Sequence, residues 1–206
     1  MSSPAIRSPA KSDLPQTVLE HVHTRNCRVL PTRMHLLGCL PRGGVAAEIG
    51  VAFGNFTNEI LERNKPEKLH LVDAWETGRY QQGLEQIHKR FSDQISCGAI
   101  EINKGLSTDR LPEFPDGYFD WVYIDTDHSY ATTRNELRLA AKKIKPGGYI
   151  AGHDFTSGNP TKALSYGVIE ACNEFCVNEG WEYAYLTLEP SGHFSFALVE
   201  LSPNGA

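Results

Sequence analysis

A glycine-containing turn between an apolar strand and a helix constrains this chain more than any other feature. Residues 45–49 form an apolar run that contains Glu48, and the chain then turns through Gly50 and Gly54 into a helical pattern. This arrangement places backbone N–H groups and the start of a helix at the carboxyl end of a strand. A second apolar run ends at Asp73, where a carboxylate can accept hydrogen bonds from ribose hydroxyls. The two segments together predict a nucleoside pocket.

The same turn departs from the dinucleotide-binding fingerprint. Ala52 stands where a second glycine would let a pyrophosphate approach the backbone, so a pyrophosphate ligand is disfavoured. The pattern Glu48-x-Gly50-x-Ala52-x-Gly54 resembles motif I of the class I S-adenosylmethionine-dependent methyltransferases. The cofactor of that family carries an amino-acid tail and no phosphate.

Strands and helices alternate along the rest of the chain. The predicted strands are 45–49, 68–72, 100–103, 119–124 and 148–151, and the helices between them are 55–63, 80–96 and 129–144. Two short helices are predicted within 16–40, and a helix at 163–178 precedes a hairpin of strands 181–187 and 194–201. This order predicts one doubly wound, Rossmann-like α/β domain with helices on both faces of the sheet. The predicted sheet has seven strands, mostly parallel, with an antiparallel C-terminal hairpin strand.

The domain organisation follows from the same pattern. Residues 1–44 are expected to form an N-terminal arm with the short helices, of which 1–14 is polar and without periodicity. Residues 45–206 are expected to form the domain that carries the activity. No internal repeat or second domain is evident.

Composition narrows the class of partner. The formal charge is -5 and no long basic run is present, which argues against nucleic acid as a partner and favours a small molecule. The five cysteines form an odd set without C-x-x-C spacing, which suits a reducing compartment. No apolar window approaches the ~18 residues of a membrane span, so we expect a cytoplasmic protein that does not bind membranes.

Polar residues follow the predicted strands at the edge where an α/β sheet binds its ligands. Asp125 follows the fourth strand, and His153 with Asp154 follows the fifth. If these strands are neighbours, two carboxylates and one imidazole converge and form a site for a divalent cation. The alternative is that Asp125 binds substrate and the other two residues belong to a turn.

Residues 121–155 extend the resemblance to a narrower group. The stretches Val122-Tyr-Ile-Asp125-Thr-Asp127-His128 and Gly148-Tyr-Ile-Ala-Gly-His153-Asp154 are similar to the macrolide, aminocoumarin and sugar O-methyltransferases. The resemblance implies that Asp125, His153 and Asp154 hold Mg²⁺ and that Asp127 is the base. On chemical grounds, the imidazole of His128 is the alternative base. Several metal-dependent members of this group have Asp where this chain has His153. Imidazole is a poorer ligand for Mg²⁺ than carboxylate. The identity of the ion therefore stays open between Mg²⁺, Mn²⁺, Fe²⁺ and Zn²⁺, and a site without metal is a further alternative.

The resemblance also implies a cofactor site for S-adenosylmethionine. Glu48, Gly50 and Gly54 would line the methionine portion, and Asp73 would bind the ribose. The adenine edge would be lined by Gly105, Leu106 and Ser107, and Asp125 counts among the cofactor-binding residues as well as the metal ligands.

These observations predict an S-adenosylmethionine-dependent O-methyltransferase that acts, with a divalent metal such as Mg²⁺ or Mn²⁺, on a hydroxylated small molecule. Three alternatives stay open: a metal-independent methyltransferase, a nicotinamide-dependent oxidoreductase and a non-catalytic cofactor-binding protein. Related enzymes often form homodimers, so both a monomer and a homodimer stay open for this chain.

Overall fold

The computed structural model describes residues 11–76, 78, 80–159 and 164–202. Eight strands form one sheet in these ranges, in the order β1-β7-β8-β6-β5-β2-β3-β4. The strands are β1 (Arg28–Leu30), β2 (Val45–Ile49), β3 (Lys68–Asp73), β4 (Ile100–Lys104), β5 (Phe119–Ile124), β6 (Ile144–Gly152), β7 (Trp181–Thr187) and β8 (Phe196–Glu200). Strand β8 pairs antiparallel with β6 and β7, and all other pairs are parallel.

Helices cover both faces of this sheet. They are α1 (Arg33–Cys39), α2 (Asn55–Arg63), α3 (Gln81–Arg90), α4 (Ser92–Ser96), α5 (Ser107–Arg110), α6 (Tyr130–Lys143) and α7 (Val168–Glu179). Neighbouring residues of β5 belong to two separate apolar clusters: Val122 packs with α6 and α7, and Tyr123 packs with α1 and α2. This alternation follows from the two-residue period of a strand and creates one core layer on each side.

The position of β2 determines where a ligand can bind. Strand β2 pairs with β3 on one side and with β5 on the other. The chain therefore leaves β2 in one direction through β3 and β4, and it returns on the opposite side of β2 as β5. A crevice opens at such a reversal, outside the carboxyl ends of the strands.

The predicted fold class is confirmed, with eight strands instead of seven. The additional strand β1 pairs with β7 at the edge of the sheet through Val29 and Leu186. It lies in the region for which two helices were predicted, and of these only α1 is present as an α-helix, after a short 3-10 turn at His21–His23. A three-residue edge strand is specified by its partner strand and not by a period of its own sequence, which explains why it was missed.

Two further boundaries differ from the prediction. The helix predicted over 80–96 is divided at Phe91, whose backbone leaves the helical region (φ -116°, ψ 28°). The helix predicted over 163–178 begins at Val168, and Ser165 instead forms an isolated bridge with Gly158. Residues 160–163, and residues 1–10 of the predicted N-terminal arm, lie outside the described residues. Within the described ranges, no helix combines the length and the apolarity needed to cross a bilayer.

Candidate active site

An open cleft of about 870 Å³ lies at the carboxyl ends of β2, β3, β4 and β5. Its volume is in the range of pockets that hold small molecules and cofactors, about 300–1,000 Å³. Nine of the residues predicted to form the site line this cleft: Glu48, Gly50, Asp73, Gly105, Leu106, Ser107, Asp125, Asp127 and His128. Gly54, His153 and Asp154 are placed behind or beside it.

The glycine turn brings the ends of β2 and β5 into close contact. Gly50 has a φ of +90°, and a Cβ atom there would lie 2.0 Å from the carbonyl oxygen of Asp125. Only glycine fits this position without moving the backbone. Gly54 starts α2 with a left-handed φ of 73° and packs against Phe91, so it shapes the turn from the side away from the cleft.

The carboxylate of Asp73 holds the turn in place. One of its oxygens accepts hydrogen bonds from the backbone N–H groups of Val51 (2.8 Å) and Ala52 (2.9 Å). The other accepts from the N–H of Trp75 (2.9 Å), whose indole in turn donates to the carbonyl oxygen of Ala52 (2.9 Å). The N–H groups of Val51 and Ala52 are thus hydrogen-bonded within the protein. Asp73, which was predicted to contact ribose, therefore also stabilises the turn.

Glu48 forms a buried acidic group beneath the turn. Its side chain is almost fully buried and accepts a hydrogen bond from the hydroxyl of Thr57 (2.5 Å). Burial raises the pKa of Glu48 to about 8, and the nearby carboxylates of Asp125 and Asp73 act in the same direction. A neutral carboxyl group at neutral pH can both donate and accept a hydrogen bond at this point of the cleft.

Glu136 is a second buried acid beside the cleft, and it was not among the residues predicted to form the site. It lies on α6 and accepts hydrogen bonds from Ser107 (2.5 Å) and Thr126 (2.9 Å), which both line the cleft. Burial raises the pKa of Glu136 to about 7. The hydroxyl of Ser107, predicted to face adenine, is therefore bound to a helix behind the cleft wall.

Replacing this acid should change how stability depends on pH. The folded-state pKa of Glu136, about 7, lies above its ordinary value of 4.5, so the native state binds the proton more tightly than the unfolded state does. The stability contribution is present below pH 4.5 and is lost as pH rises through 7. For Glu136→Gln, which cannot ionise, we expect the free energy of unfolding relative to wild type to rise by about 3 kcal/mol between pH 4.5 and 8.

Urea unfolding at several pH values measures this difference. The exposed helical Glu85→Gln is the matched control and should show a difference that does not vary with pH. If the free energies of unfolding of Glu136→Gln and wild type differ by the same amount at all pH values, the raised pKa of Glu136 is contradicted.

A cluster of acidic and imidazole groups lies where β5 and β6 end. Ligand atoms of Asp125, His128 and Asp154 all lie within 4.8 Å of one another. His128 Nε2 is 3.0 Å from Asp154 Oδ2 and 3.9 Å from Asp125 Oδ1. Ligands bound about 2.0–2.3 Å from one ion are themselves about 3–4.5 Å apart, so these three groups have the spacing of a cation site.

Two more imidazoles adjoin these three groups. His153 Nδ1 lies 3.7 Å from Asp125 Oδ2 and 3.6 Å from Asp154 Oδ2, and His193 Nδ1 contacts the other oxygen of Asp154. The rings of His153 and His193 stack with an interplanar angle of 11°. The predicted residues Asp125, His153 and Asp154 are therefore neighbours, and His128, predicted as a base, is the imidazole that joins both carboxylates.

The backbone and the charges of this cluster are both unusual. His128 and Asp154 have left-handed φ angles of 62° and 55°, which cost energy in residues other than glycine and often mark functional sites. Burial opposes ionisation of Asp154, but hydrogen bonds and charge from His153, His128 and His193 outweigh it and hold its pKa well below the ordinary range. Burial raises the pKa of Asp125.

Asp127 occupies the start of α6. Its carboxylate accepts from the backbone N–H of Ser129 (2.9 Å) and from the hydroxyl of Thr132 (2.8 Å). Ser129 is the N-cap residue, and its side chain accepts from the N–H of Thr132. Asp127 is thus exposed to the cleft and is held in a fixed orientation by the helix start.

The position of His193 could have been inferred from strand register. Gly152 of β6 is paired with Phe196 of the antiparallel β8, and the N–H of Phe155 bonds to the carbonyl of Phe194. Residues just after β6 must then lie beside residues just before β8. A prediction that β8 pairs antiparallel with β6 in this register would have placed His193 next to Asp154.

A mostly parallel α/β sheet with a glycine turn and a nucleoside-sized cleft at its strand reversal defines a Rossmann-like ligand-binding class. Residues 47–155 match the sequence profile of a methyltransferase-domain family, which covers more than half of the chain. The chain therefore belongs to this methyltransferase family. No curated protein sequence shows a significant match to it.

Solved structures share the fold at low sequence identity. A methyltransferase from Aquifex aeolicus, described as S-adenosylmethionine-dependent, is 12% identical with a TM-score of 0.59, over 81% of this chain and 87% of that one. An O-methyltransferase family protein from Burkholderia thailandensis is 12% identical with a TM-score of 0.59, over 84% and 56%. The pyocyanin biosynthetic protein PhzM is 12% identical with a TM-score of 0.59, and the match covers 81% of this chain and 54% of that one. The chain spans about half the length of the last two proteins.

Proposed function

We propose that this protein is an S-adenosylmethionine-dependent methyltransferase that uses a divalent cation to methylate a hydroxyl group of a small molecule. The observation that carries the proposal is the cluster of Asp125, His128 and Asp154 beside a nucleoside-sized cleft. Family membership supports the transfer of a methyl group. The cluster supports the finer assignment of a metal-assisted reaction at oxygen.

The cleft fits the cofactor in size and in the order of its lining residues. The adenine would lie at Leu106 after β4, the ribose at Asp73 after β3, and the amino-acid tail at Glu48 and Gly50 in β2 and its turn. When bound, S-adenosylmethionine supplies the electrophilic methyl group. The protein's own contribution is to hold the sulfonium and the acceptor oxygen in line, which accounts for much of the rate of such reactions.

The donor set of the cluster fits a divalent cation. Asp125, Asp154 and His128 would hold the ion, with His153 beside them. When bound, a cation supplies Lewis acidity that lowers the pKa of an acceptor hydroxyl. A mixture of carboxylate and imidazole ligands suits Mn²⁺, Fe²⁺ or Zn²⁺ better than Mg²⁺, which prefers oxygen.

Asp127 is assigned as the base that receives the acceptor proton. It lines the cleft two residues after Asp125, and the start of α6 orients its carboxylate. A base must lie within hydrogen-bond reach of the proton that it takes. Of the two candidate bases, His128 points towards the two carboxylates of the cluster. Asp127 is therefore the candidate that faces the acceptor.

The charge of the cleft supports a neutral or cationic acceptor with hydroxyl groups. The carboxylates of Asp73, Asp125 and Asp127 line it, beside Glu48, which the raised pKa keeps mostly neutral. A phosphate-rich polymer would be repelled by these carboxylates and by the net charge of -5. We therefore propose a hydroxylated small molecule as the substrate.

A thermal-shift matrix tests the proposal. S-adenosylmethionine, S-adenosylhomocysteine and NADH are each added to EDTA-treated protein, alone and with Mg²⁺, Mn²⁺ or Zn²⁺. A ligand at 100 times its Kd stabilises a protein by about 2.7 kcal/mol, which corresponds to about 5–10 °C for a domain of this size. We expect this shift with the two adenosyl ligands, a further shift with Mn²⁺ or Zn²⁺, and no shift with NADH.

Asp154→Asn separates the two parts of this result. The variant should keep the shift with S-adenosylhomocysteine and lose the shift with the metal, because Asp154 would hold the proposed ion and does not line the cofactor cleft. If the wild-type protein shows neither the shift with the adenosyl ligands nor the shift with the metal, or shifts with NADH alone, the proposed function is refuted.

One observation favours a second candidate, a methyltransferase without metal. His128 lies 3.0 Å from Asp154 Oδ2, so the carboxylate could orient the imidazole as a base. Turnover that is unchanged by EDTA and by added Mn²⁺ would select this candidate over the metal-assisted one.

A further inference from the structure

Arg33 is a fixed positive charge in an otherwise acidic cleft. Among the described residues that line the cleft, it is the sole arginine or lysine, whereas four are acidic. Arg33 is the first residue of α1, in the N-terminal part of the chain, where no site residue was predicted. An arginine stays charged at every physiological pH, so a ligand must accommodate this charge.

Several contacts hold Arg33 in place. Its guanidinium lies over the ring of Phe56, 4.7 Å from the centroid, and its backbone N–H donates to the carboxylate of Glu189. The nearest oxygen of Asp125 is 3.9 Å from Nη1, which is longer than a hydrogen bond. The cation–π contact and the anchored backbone preorganise the planar donor fork for a ligand.

The position of Arg33 matches one end of the proposed cofactor. Adenine, ribose and amino-acid tail would follow the strand order β4, β3 and β2, so the tail points towards β5. Arg33 lies at that end, since it touches Phe56 in the first turn of α2 and approaches Asp125 after β5. The tail ends in a carboxylate, and the carboxylates that line the cleft would repel it.

We infer that Arg33 binds the carboxylate of the cofactor's amino-acid tail and so selects adenosyl ligands that carry this tail. The inference rests on the proposed function, since it requires the cleft to bind an S-adenosyl compound. A guanidinium can bind a carboxylate through two parallel hydrogen bonds, which combine charge and direction.

Isothermal calorimetry in EDTA buffer tests the inference with two ligands. S-adenosylhomocysteine has the amino-acid tail, and 5′-deoxy-5′-methylthioadenosine is the same thioether nucleoside without it. Arg33→Met should lower the affinity for the first ligand about 10- to 100-fold and leave the affinity for the second within twofold. Arg33→Lys should recover part of the loss.

Arg28→Met is the matched control. Arg28 is an exposed arginine on β1 that also lies over an aromatic ring, that of Tyr185, but it does not line the cleft. Its replacement should leave the affinities for both ligands unchanged.

The outcomes separate the two proposals. If wild-type protein binds neither ligand, the proposed function fails and the inference fails with it. If wild-type protein binds both and Arg33→Met weakens both equally, or neither, the proposed function stands and the role of Arg33 in tail binding is overturned. Retained binding of methylthioadenosine also shows that the variant is folded.

Discussion

Asp125→Asn is expected to reduce methyl transfer by about 1000-fold while S-adenosylhomocysteine still binds with nearly wild-type affinity. The side chain faces His128 and His153 at the end of β5, where the proposed cation would be held. Removing its charge weakens the cation site, and contributions of this size are typical of acid–base and metal functions. Release of S-adenosylhomocysteine in the presence of Mn²⁺ measures turnover, and calorimetry measures cofactor affinity.

The exposed Asp93→Asn is the control for loss of a carboxylate elsewhere on the surface. It should leave turnover and affinity unchanged. An Asp125→Asn variant with full activity would refute the role of the cluster. A variant that loses cofactor binding to the same extent as turnover would instead assign Asp125 to the cofactor site.

The parts of the site that the sequence predicts are those fixed by strand ends. Parallel strands end at the same edge of a sheet, so Gly50, Asp73 and Asp125 had to lie near one another once their strands were recognised. The buried apolar runs of β2, β3 and β5 made that recognition straightforward. The sequence alone therefore sufficed to predict the cleft and its acidic lining.

The parts that it does not predict depend on contacts between distant segments. His128 reaches Asp154 because its backbone adopts a left-handed conformation in the loop after β5. The antiparallel register between β6 and β8 places His193 beside Asp154, and the packing of α1 places Arg33 over Phe56. Glu136 looks like an ordinary polar residue of an amphipathic helix until its burial is known. None of these contacts follows from local periodicity.

Asp73, at the end of β3, stabilises the turn and is the proposed partner of the ribose, so Asp73→Ala should affect both stability and affinity. Its carboxylate accepts hydrogen bonds from three backbone N–H groups, those of Val51, Ala52 and Trp75. Loss of these acceptors should lower the free energy of unfolding of the ligand-free protein by about 3 kcal/mol. Affinity for S-adenosylhomocysteine should fall at least ~100-fold, because the turn loses its fixed shape and the ribose loses its proposed partner.

The 2′-deoxy analogue of S-adenosylhomocysteine separates the two roles of Asp73. If the carboxylate binds ribose hydroxyls as well as the turn, wild-type protein should prefer the ribose form, and Asp73→Ala should bind the two forms with similar affinity. Asp73→Asn keeps one oxygen acceptor for the turn and should lie between wild type and Asp73→Ala in stability. Equal affinity of wild-type protein for the two forms, with a stability loss in the variant, would leave Asp73 with the turn alone, because a carboxylate that already accepts three N–H groups would then have no measurable bond to the ligand.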